Sequence, residues 1–285
     1  MNDTPHAICD ICPRGCHICE GATGICGARG LHTHHSTGEN SVVSLNYGKI
    51  ASIALDPIEK KPLKRFNPGK MILSVGSFGC NLTCPWCQNY RISRAKKDDL
   101  ITQDVSPEKL VELALEQVPA GNIGVAFTYN EPLISYEYIR DVSQILKTLG
   151  LKSVLVTNGF ANPEIFSSIL PLVDAMNIDL KSIKDDFYQK IGGDVNIIKE
   201  NIKAAAAVCH VELTCLLING ENDGEDEMKE MIDFIASVSE NIPLHISRFF
   251  PLYKMEDREP TNIESMESFK RIADKKLKHV YLGNV

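Results

Sequence analysis

Cys80, Cys84 and Cys87 form Cys-x3-Cys-x2-Cys within Gly79-Cys80-Asn81-Leu82-Thr83-Cys84-Pro85-Trp86-Cys87-Gln88-Asn89. Thiolates select soft metals and iron–sulfur clusters. Three of them on one short loop leave a cubane 4Fe–4S cluster one ligand short. The uncovered iron can then be chelated by a small molecule bearing an amine and a carboxylate. A structural zinc wants four ligands, so zinc here would require Cys209, His210, Cys215 or His245 to fold in. Five more cysteines, at 9, 12, 16, 19 and 26, offer five thiols for the four positions of a tetrahedral zinc or a fully ligated cubane. Such a metal would let thirty residues without a core hold a fold, and a cluster there could also relay electrons.

Eight of the ten cysteines lie in the first 87 residues. The start of the chain, Met1 to His6, has neither a basic stretch nor a hydrophobic one and does not read as a signal peptide. A cytoplasmic protein with metal or redox chemistry is therefore expected, rather than a disulfide framework. The 285 residues are 44% hydrophobic and 24% charged, with a net charge of −7. That balance argues against a general nucleic-acid binder. No apolar run approaches the roughly 18 residues of a membrane span.

These thiols need a scaffold. Short β-branched or aliphatic runs mark strands at Ile72–Val75, Ile123–Thr128, Ser153–Thr157, Ala175–Asp179, Val211–Leu217 and Leu244–Ile246. Helical stretches fill the gaps, with starts at Ser106-Pro107-Glu108 and Asn162-Pro163-Glu164, and capping-box spacing at Thr261 and Glu264. Strands alternating with helices imply a parallel sheet. Spacing alone does not choose between a doubly wound sheet and a barrel. Six units fall short of a closed barrel, so a partial (βα)6 barrel over 71–285 is expected, with ligands at the C-terminal strand ends. Ahead of it, 1–30 reads as a Cys-rich metal-binding module. Residues 31–70 carry His32, His34 and His35, then a β-hairpin turning at Asn46-Tyr47-Gly48-Lys49.

The cysteine motif, its place after the first strand and the α/β pattern resemble the radical S-adenosylmethionine superfamily. Within it, Leu55-Asp56-Pro57-Ile58-Glu59-Lys60-Lys61-Pro62-Leu63, Tyr129-Asn130-Glu131-Pro132 and His245-Ile246-Ser247-Arg248-Phe249-Phe250-Pro251 resemble the radical enzyme of the AmmeMemoRadiSam system, a group similar to pyruvate formate-lyase activating enzymes. The resemblance spans nearly the whole chain. It implies that a reduced 4Fe–4S cluster cleaves S-adenosylmethionine to methionine and a 5′-deoxyadenosyl radical, which takes hydrogen from a substrate. It also implies that Cys9, Cys12, Cys16 and Cys26 are the N-terminal ligands, with Cys19 the extra. The metal there is left as zinc or iron–sulfur.

For the cofactor, the resemblance puts Trp86 near the adenine, the Glu131-Pro132 turn near the methionyl amine and His245 near the methionyl part. Asn158, Asp179 and Lys181, at the ends of the third and fourth expected strands, are further candidates, with Lys181 facing the cofactor carboxylate and Asp179 orienting it. The relatives carry Gly-Gly-Glu-Pro where this chain has Tyr129-Asn130-Glu131-Pro132, so Asn130 falls in the cofactor-binding turn without matching it. No catalytic residue is assigned beyond the cluster. The relatives also continue past Val285 into a cysteine-bearing tail. The resemblance implies an external electron donor and, by association, AMMECR- and Memo-domain partners. Two other readings are a glycyl-radical-enzyme activase and a non-catalytic iron–sulfur electron-relay module.

Overall fold

The computed structural model describes residues 6–34 and 38–285. The start at 1–5 and His35 lie outside the described residues. The principal sheet has eight strands: β1 (Ser52–Pro57), β2 (Met71–Gly76), β3 (Asn122–Phe127), β4 (Lys152–Thr157), β5 (Ala175–Asp179), β6 (His210–Leu217), β7 (Leu244–Arg248) and β8 (Val280–Gly283). They lie side by side in sequence order, β1 antiparallel to β2 and the other pairs parallel. Sequential order means that every crossover steps the same way. With a constant hand, all connecting helices fall on one face, which is the open-barrel arrangement and not the doubly wound one. The six expected strands are all present.

The edges differ from the sequence reading. The hairpin expected at Asn46–Lys49 is not the pairing found. Asn40–Ser44 turns back on Arg29–Thr33, while β1 pairs with β2. A residue alternation marks strands but does not name their partners, and β2 offers β1 an open edge of the main sheet. β8, short and near the end of the chain, closes the other edge beside β7.

The outer face of the sheet is a conventional core. Leu73, Val75, Val125, Phe127, Leu155, Met176, Ile178, Leu213, Cys215 and Ile246 are buried against helices α1 (Pro107–Glu116), α2 (Tyr136–Thr148), α3 (Pro163–Ile169), α4 (Val195–Ala206), α5 (Glu225–Val238) and α6 (Ile263–Ala273). The Ser106 hydroxyl caps α1 by accepting from the Lys109 amide at 3.2 Å. At α6 the cap is Asn262, which accepts from the Glu264 amide, and not the expected Thr261. Thr261 is fully buried instead. Its hydroxyl accepts from the Phe249 amide and donates to the Leu217 carbonyl, tying the ends of β6 and β7 together.

The inner face is polar. Ser74, Asn177, Asp179, Glu212, Thr214, His245 and Ser247 alternate with the outer apolar residues. One end of this lumen is plugged by the chain between β1 and β2. Ile58, Leu63 and Phe66 pack on Ile72, Ala126, Val154 and Ala175. The plug is held by Glu212, whose carboxylate accepts from the amides of Lys64 (3.0 Å) and Arg65 (2.7 Å) and from His210 and His245. The opposite, C-terminal end of the strands stays open for chemistry.

Burial alone would raise the Glu212 carboxyl. Its bonds from His210, His245, Arg65 and Lys64 outweigh burial and bring its pKa to about 2, against an ordinary 4.5. A depressed acid contributes stability above its unfolded pKa and loses it as pH falls through the folded one. Glu212→Gln should therefore be less stable than the parent chain at pH 6 by about 3 kcal/mol. The gap should close between pH 4.5 and 2 in urea titrations. A gap that stays constant over that range would show that the carboxylate charge does not hold the plug.

Candidate metal centre

The cysteine loop leaves β2 at Gly76 and crosses the open end of the sheet. It has almost no regular structure, so its buried carbonyls are met from outside. Asn46 Nδ2 donates to Phe78 O at 2.9 Å, Arg94 to the carbonyls of Cys80 and Leu82, and Asn81 Nδ2 to Phe160 O at 2.6 Å. Asn130 does most. Its Oδ1 accepts from the Ser77 amide at 2.9 Å and its Nδ2 donates to the carbonyls of Phe78 and Gly79. The expected cofactor contact is thus a brace for the loop.

Burial lifts the Cys80 thiol well above its ordinary range, with Glu131, Cys84 and Cys87 adding to the effect. Burial also pushes Cys84 up to about 11, the Lys181 ammonium opposing and Cys87 adding. Donors reach two of the sulfurs. Asn158 Nδ2 lies 3.7 Å and the Leu82 amide 3.4 Å from Cys80 Sγ, and the Ser93 hydroxyl is 3.2 Å from Cys87 Sγ. Among the described residues, no three His, Cys, Asp or Glu side chains gather tightly enough to hold one metal ion. By chemistry, three thiols on one loop are the donor set of a cubane that seats each thiolate on a different iron. Metal binding would remove the thiol protons that burial now retains.

Around the loop stand the other candidates. Glu131 is buried and pushed up to about 7 by desolvation, against bonds from Thr157 (2.7 Å), the Asn158 amide (2.8 Å) and the Leu133 amide (2.9 Å). It clamps the ends of β3 and β4. Asn158 binds Asn81 Oδ1 at 2.9 Å as well as Cys80. Asp179 and Lys181 pair at 2.6 Å. Burial disfavours the Lys181 charge, but Asp179 and Cys84 outweigh it and hold the ammonium well above an ordinary lysine. Trp86 is buried and packs on Phe187 at 5.3 Å between ring centroids, beside a 190 Å³ cavity also lined by Glu221 and Met255.

His245 does not join this group. It is the second residue of β7, three residues short of the strand's end, and its ring bonds Glu212 at the plug, 2.6 Å away. At roughly 3.3 Å per residue the open end lies about 10 Å further on. Tyr129, standing where the resembled relatives have glycine, takes φ of 72°. The glycine-like backbone turn is kept at a cost on the order of 1 kcal/mol. The Tyr129 hydroxyl donates to Asp56 at 2.9 Å, and the Lys61 ammonium lies 4.6 Å from the ring centroid.

Of the five N-terminal cysteines, Cys9 and Cys12 are buried and Cys16 and Cys26 half-buried. Cys9 is raised to about 11 by burial, with Arg29 lowering it and Cys12 and Cys26 raising it. Burial raises the Cys12 and Cys26 thiols as well. Cys19 is exposed on the short strand His17–Cys19. This module docks on the cysteine loop. The Cys80 amide donates to the Cys26 carbonyl at 3.2 Å. Gly79, at φ of 90°, leaves only 2.5 Å between a would-be Cβ and that carbonyl. Arg14 donates to Asn81 O (2.6 Å) and Ile191 O (3.0 Å), and buried Arg29 pairs bidentately with Glu137. The sequence reading assigned no role to Asn81, Arg14 or Arg29; the first two lie between cysteines of the two motifs, which was their only signal.

The family model of the Radical SAM superfamily matches residues 74–235. The chain is 39% identical to an uncharacterized protein of Methanocaldococcus jannaschii, over 97% of this chain and 81% of that one. It is 26% identical to the pyruvate formate-lyase-activating enzyme of Clostridium pasteurianum, over 68% of this chain and 84% of that enzyme. A radical SAM methyltransferase from Sphaerobacter thermophilus shares the fold, with a TM-score of 0.56 at 14% identity over 98% of this chain and 77% of that one.

Asn130→Ala removes the half-buried side chain that braces the cysteine loop and should cost about 1 kcal/mol in urea unfolding. It should also lower iron retention after anaerobic reconstitution. A variant as stable as the parent and equally retentive would show that the loop is positioned by other means.

Proposed function

The chain belongs to the radical SAM superfamily, and from that premise we propose that Cys80, Cys84 and Cys87 hold a 4Fe–4S cluster whose uncovered iron takes S-adenosylmethionine. The observation that carries this reading is three half-buried thiols on one loop at the C-terminal strand ends, with Cys84 close enough to the half-buried Lys181 for each to act on the other's charge. The cluster, when bound and reduced, supplies the electron that splits S-adenosylmethionine into methionine and the 5′-deoxyadenosyl radical that takes hydrogen from a substrate.

The chain's own residues do the rest. Lys181, 14% exposed and held cationic, offers a charge to the methionyl carboxylate, and Asp179 fixes where that charge points. Glu131 and Asn158 hold the turn and the Cys80 sulfur in place. Trp86 with Phe187 walls one side against water. The polar lumen gives a substrate hydrogen-bonding partners that a packed barrel core would lack.

Similarity to activating enzymes supports hydrogen abstraction from a glycine of a partner protein as a second reading. The AmmeMemoRadiSam resemblance supports instead a small-molecule or side-chain substrate handled alongside AMMECR- and Memo-domain proteins. Either needs an external electron donor. Ten free cysteines suit a reducing, cytoplasmic setting, and among the described residues no helix is long and apolar enough to cross a membrane. Cys9, Cys12, Cys16 and Cys26 form the second metal site in this reading.

Anaerobic reconstitution followed by dithionite and S-adenosylmethionine should yield 5′-deoxyadenosine by chromatography. The Cys80/Cys84/Cys87 triple alanine variant should lose about four irons per chain and all of the product. A fully reconstituted, reduced parent chain yielding none would favour the electron-relay module. Lys181→Ala should weaken S-adenosylmethionine binding tenfold or more, as loss of about 1.5–3 kcal/mol from a hydrogen bond to a charged group implies. It should move the urea midpoint little; equal affinity would remove Lys181 from the carboxylate.

A further inference from the structure

We propose that Arg248 is the anion-binding residue of the substrate subsite, so that the substrate carries a carboxylate or a phosphate group. The proposal rests on the radical SAM reading, which makes the C-terminal strand ends the place where a substrate meets the radical.

Arg248 is the last residue of β7 and stands in register with Leu217, the last of β6. It therefore lies at the same end of the sheet as the cysteine loop, and the segment that follows it returns across that loop. The Lys254 amide donates to the Pro85 carbonyl at 3.0 Å, and Tyr253 stacks on Tyr90 at 4.5 Å between ring centroids. Met255 lines the 190 Å³ cavity beside Trp86.

The arginine is half-buried and pinned. Its Nε donates to the Thr261 carbonyl at 2.9 Å, and its guanidinium carbon lies over the Phe250 ring, 5.0 Å from the centroid. Thr261 is itself fixed, since its buried hydroxyl joins the Phe249 amide to the Leu217 carbonyl. The fork is thus held in one place before any ligand arrives, which lowers the ordering cost of binding.

A counter-charge is missing. Among the described residues, the guanidinium makes no other hydrogen bond and no ion pair, so both terminal nitrogens keep their donors. Other half-buried cations at this end are answered: Lys181 pairs with Asp179, and Arg94 donates to the carbonyls of Cys80 and Leu82. Acids stand nearby in the chain at Glu256, Asp257 and Glu259, yet Arg258 is the residue that pairs, with Glu221, and Arg248 pairs with none. A half-buried guanidinium without a counter-charge keeps a desolvation penalty that an anionic ligand would offset.

Chemistry narrows the ligand. The planar fork matches two oxygens of a carboxylate or phosphate at once. Phe250 is 41% exposed, so an apolar surface lies beside the charge. An anionic small molecule with an adjoining apolar part fits this pair. The glycine of a partner protein carries no such group itself. S-adenosylmethionine does carry a carboxylate, which the reading above gives to Lys181, and the test separates the two sources.

The full chain, reconstituted anaerobically, is treated with phenylglyoxal, and peptide mass spectrometry reads each arginine separately. Sodium phosphate or sodium acetate replaces chloride at constant ionic strength. One of these anions should slow modification of Arg248 roughly tenfold at saturation, the scale set by hydrogen bonds to a charged group. Arg65, exposed at the plug end, should react as before. Protection by phosphate alone or by acetate alone supports the proposal and names the group. Saturating S-adenosylmethionine should leave Arg248 reactive. An Arg248 that never reacts, or that neither anion protects, would overturn the proposal, as would equal protection of Arg65. Protection by S-adenosylmethionine would assign the fork to the cofactor and overturn the substrate role, leaving the radical reading intact. A reduced chain that yields no 5′-deoxyadenosine would instead overturn the radical reading and the substrate role with it, while protection by phosphate or acetate would still mark the anion site. The parent chain alone decides each outcome, so none depends on the folding of a variant.

Discussion

A loop that carries three half-buried thiols has no hydrogen-bond ladder of its own, and meeting its backbone from outside is the constraint on which the rest of the molecule depends. An unpaired buried carbonyl or amide costs about 1–3 kcal/mol, and residues 77–89 present several. The loop carbonyls accept from Asn46 before the barrel, from Arg94 just after the loop and from Asn130 at the end of β3, while the loop's own Asn81 side chain donates to the Phe160 carbonyl after β4. The three donors are short amide side chains or a fork whose geometry permits few other partners. The loop is therefore fixed by the folded barrel as a whole.

The same logic explains why the barrel is left open and polar. A closed barrel fills its centre with layers of branched apolar side chains. Here the filling is confined to one end, where Ile58, Leu63 and Phe66 enter from the β1–β2 connection. Glu212 anchors that plug, and its partners His210 and His245 serve the same anchor. Toward the other end the inner residues Asp179, Thr214 and Ser247 are only partly covered. Charge follows this division. One buried carboxylate holds the floor, and a lysine–aspartate pair stands at the mouth beside Cys84.

Much of this was legible in the sequence, for physical reasons that also mark where reading stopped. Strands β2 to β7 were readable because buried parallel strands concentrate β-branched and aliphatic residues. The place of Cys80, Cys84 and Cys87 followed from their position after the first of them. The pairing of β1 was not legible, since alternation carries no partner information. His245 misled because a polar residue on a strand reads the same whether it lies near the open end or near the plug. Asn130 and Thr261 misled for a related reason: both are polar residues at element ends, and only tertiary contacts show that each is a brace. Tyr129 is the reverse case. It stands where the resemblance led one to expect glycine, and its φ of 72° lies in the left-handed region that glycine favours.

The N-terminal module shows how such a loop can be tied to a second site. Its own core is small: Cys9, Ile11 and Ile18 are buried, with Leu31, Val42, Tyr136 and Ile165 packed alongside, and the last two belong to the barrel. So few apolar groups cannot fold thirty residues alone. Stability must come from docking, through Arg14, Arg29 and the Cys26–Cys80 bond. That bond joins the backbone of the module to the backbone of the cysteine loop, so whatever fixes the Cys26 carbonyl also fixes the Cys80 amide. By reciprocity, anything that orders the cysteine loop favours the docked module by the same free energy.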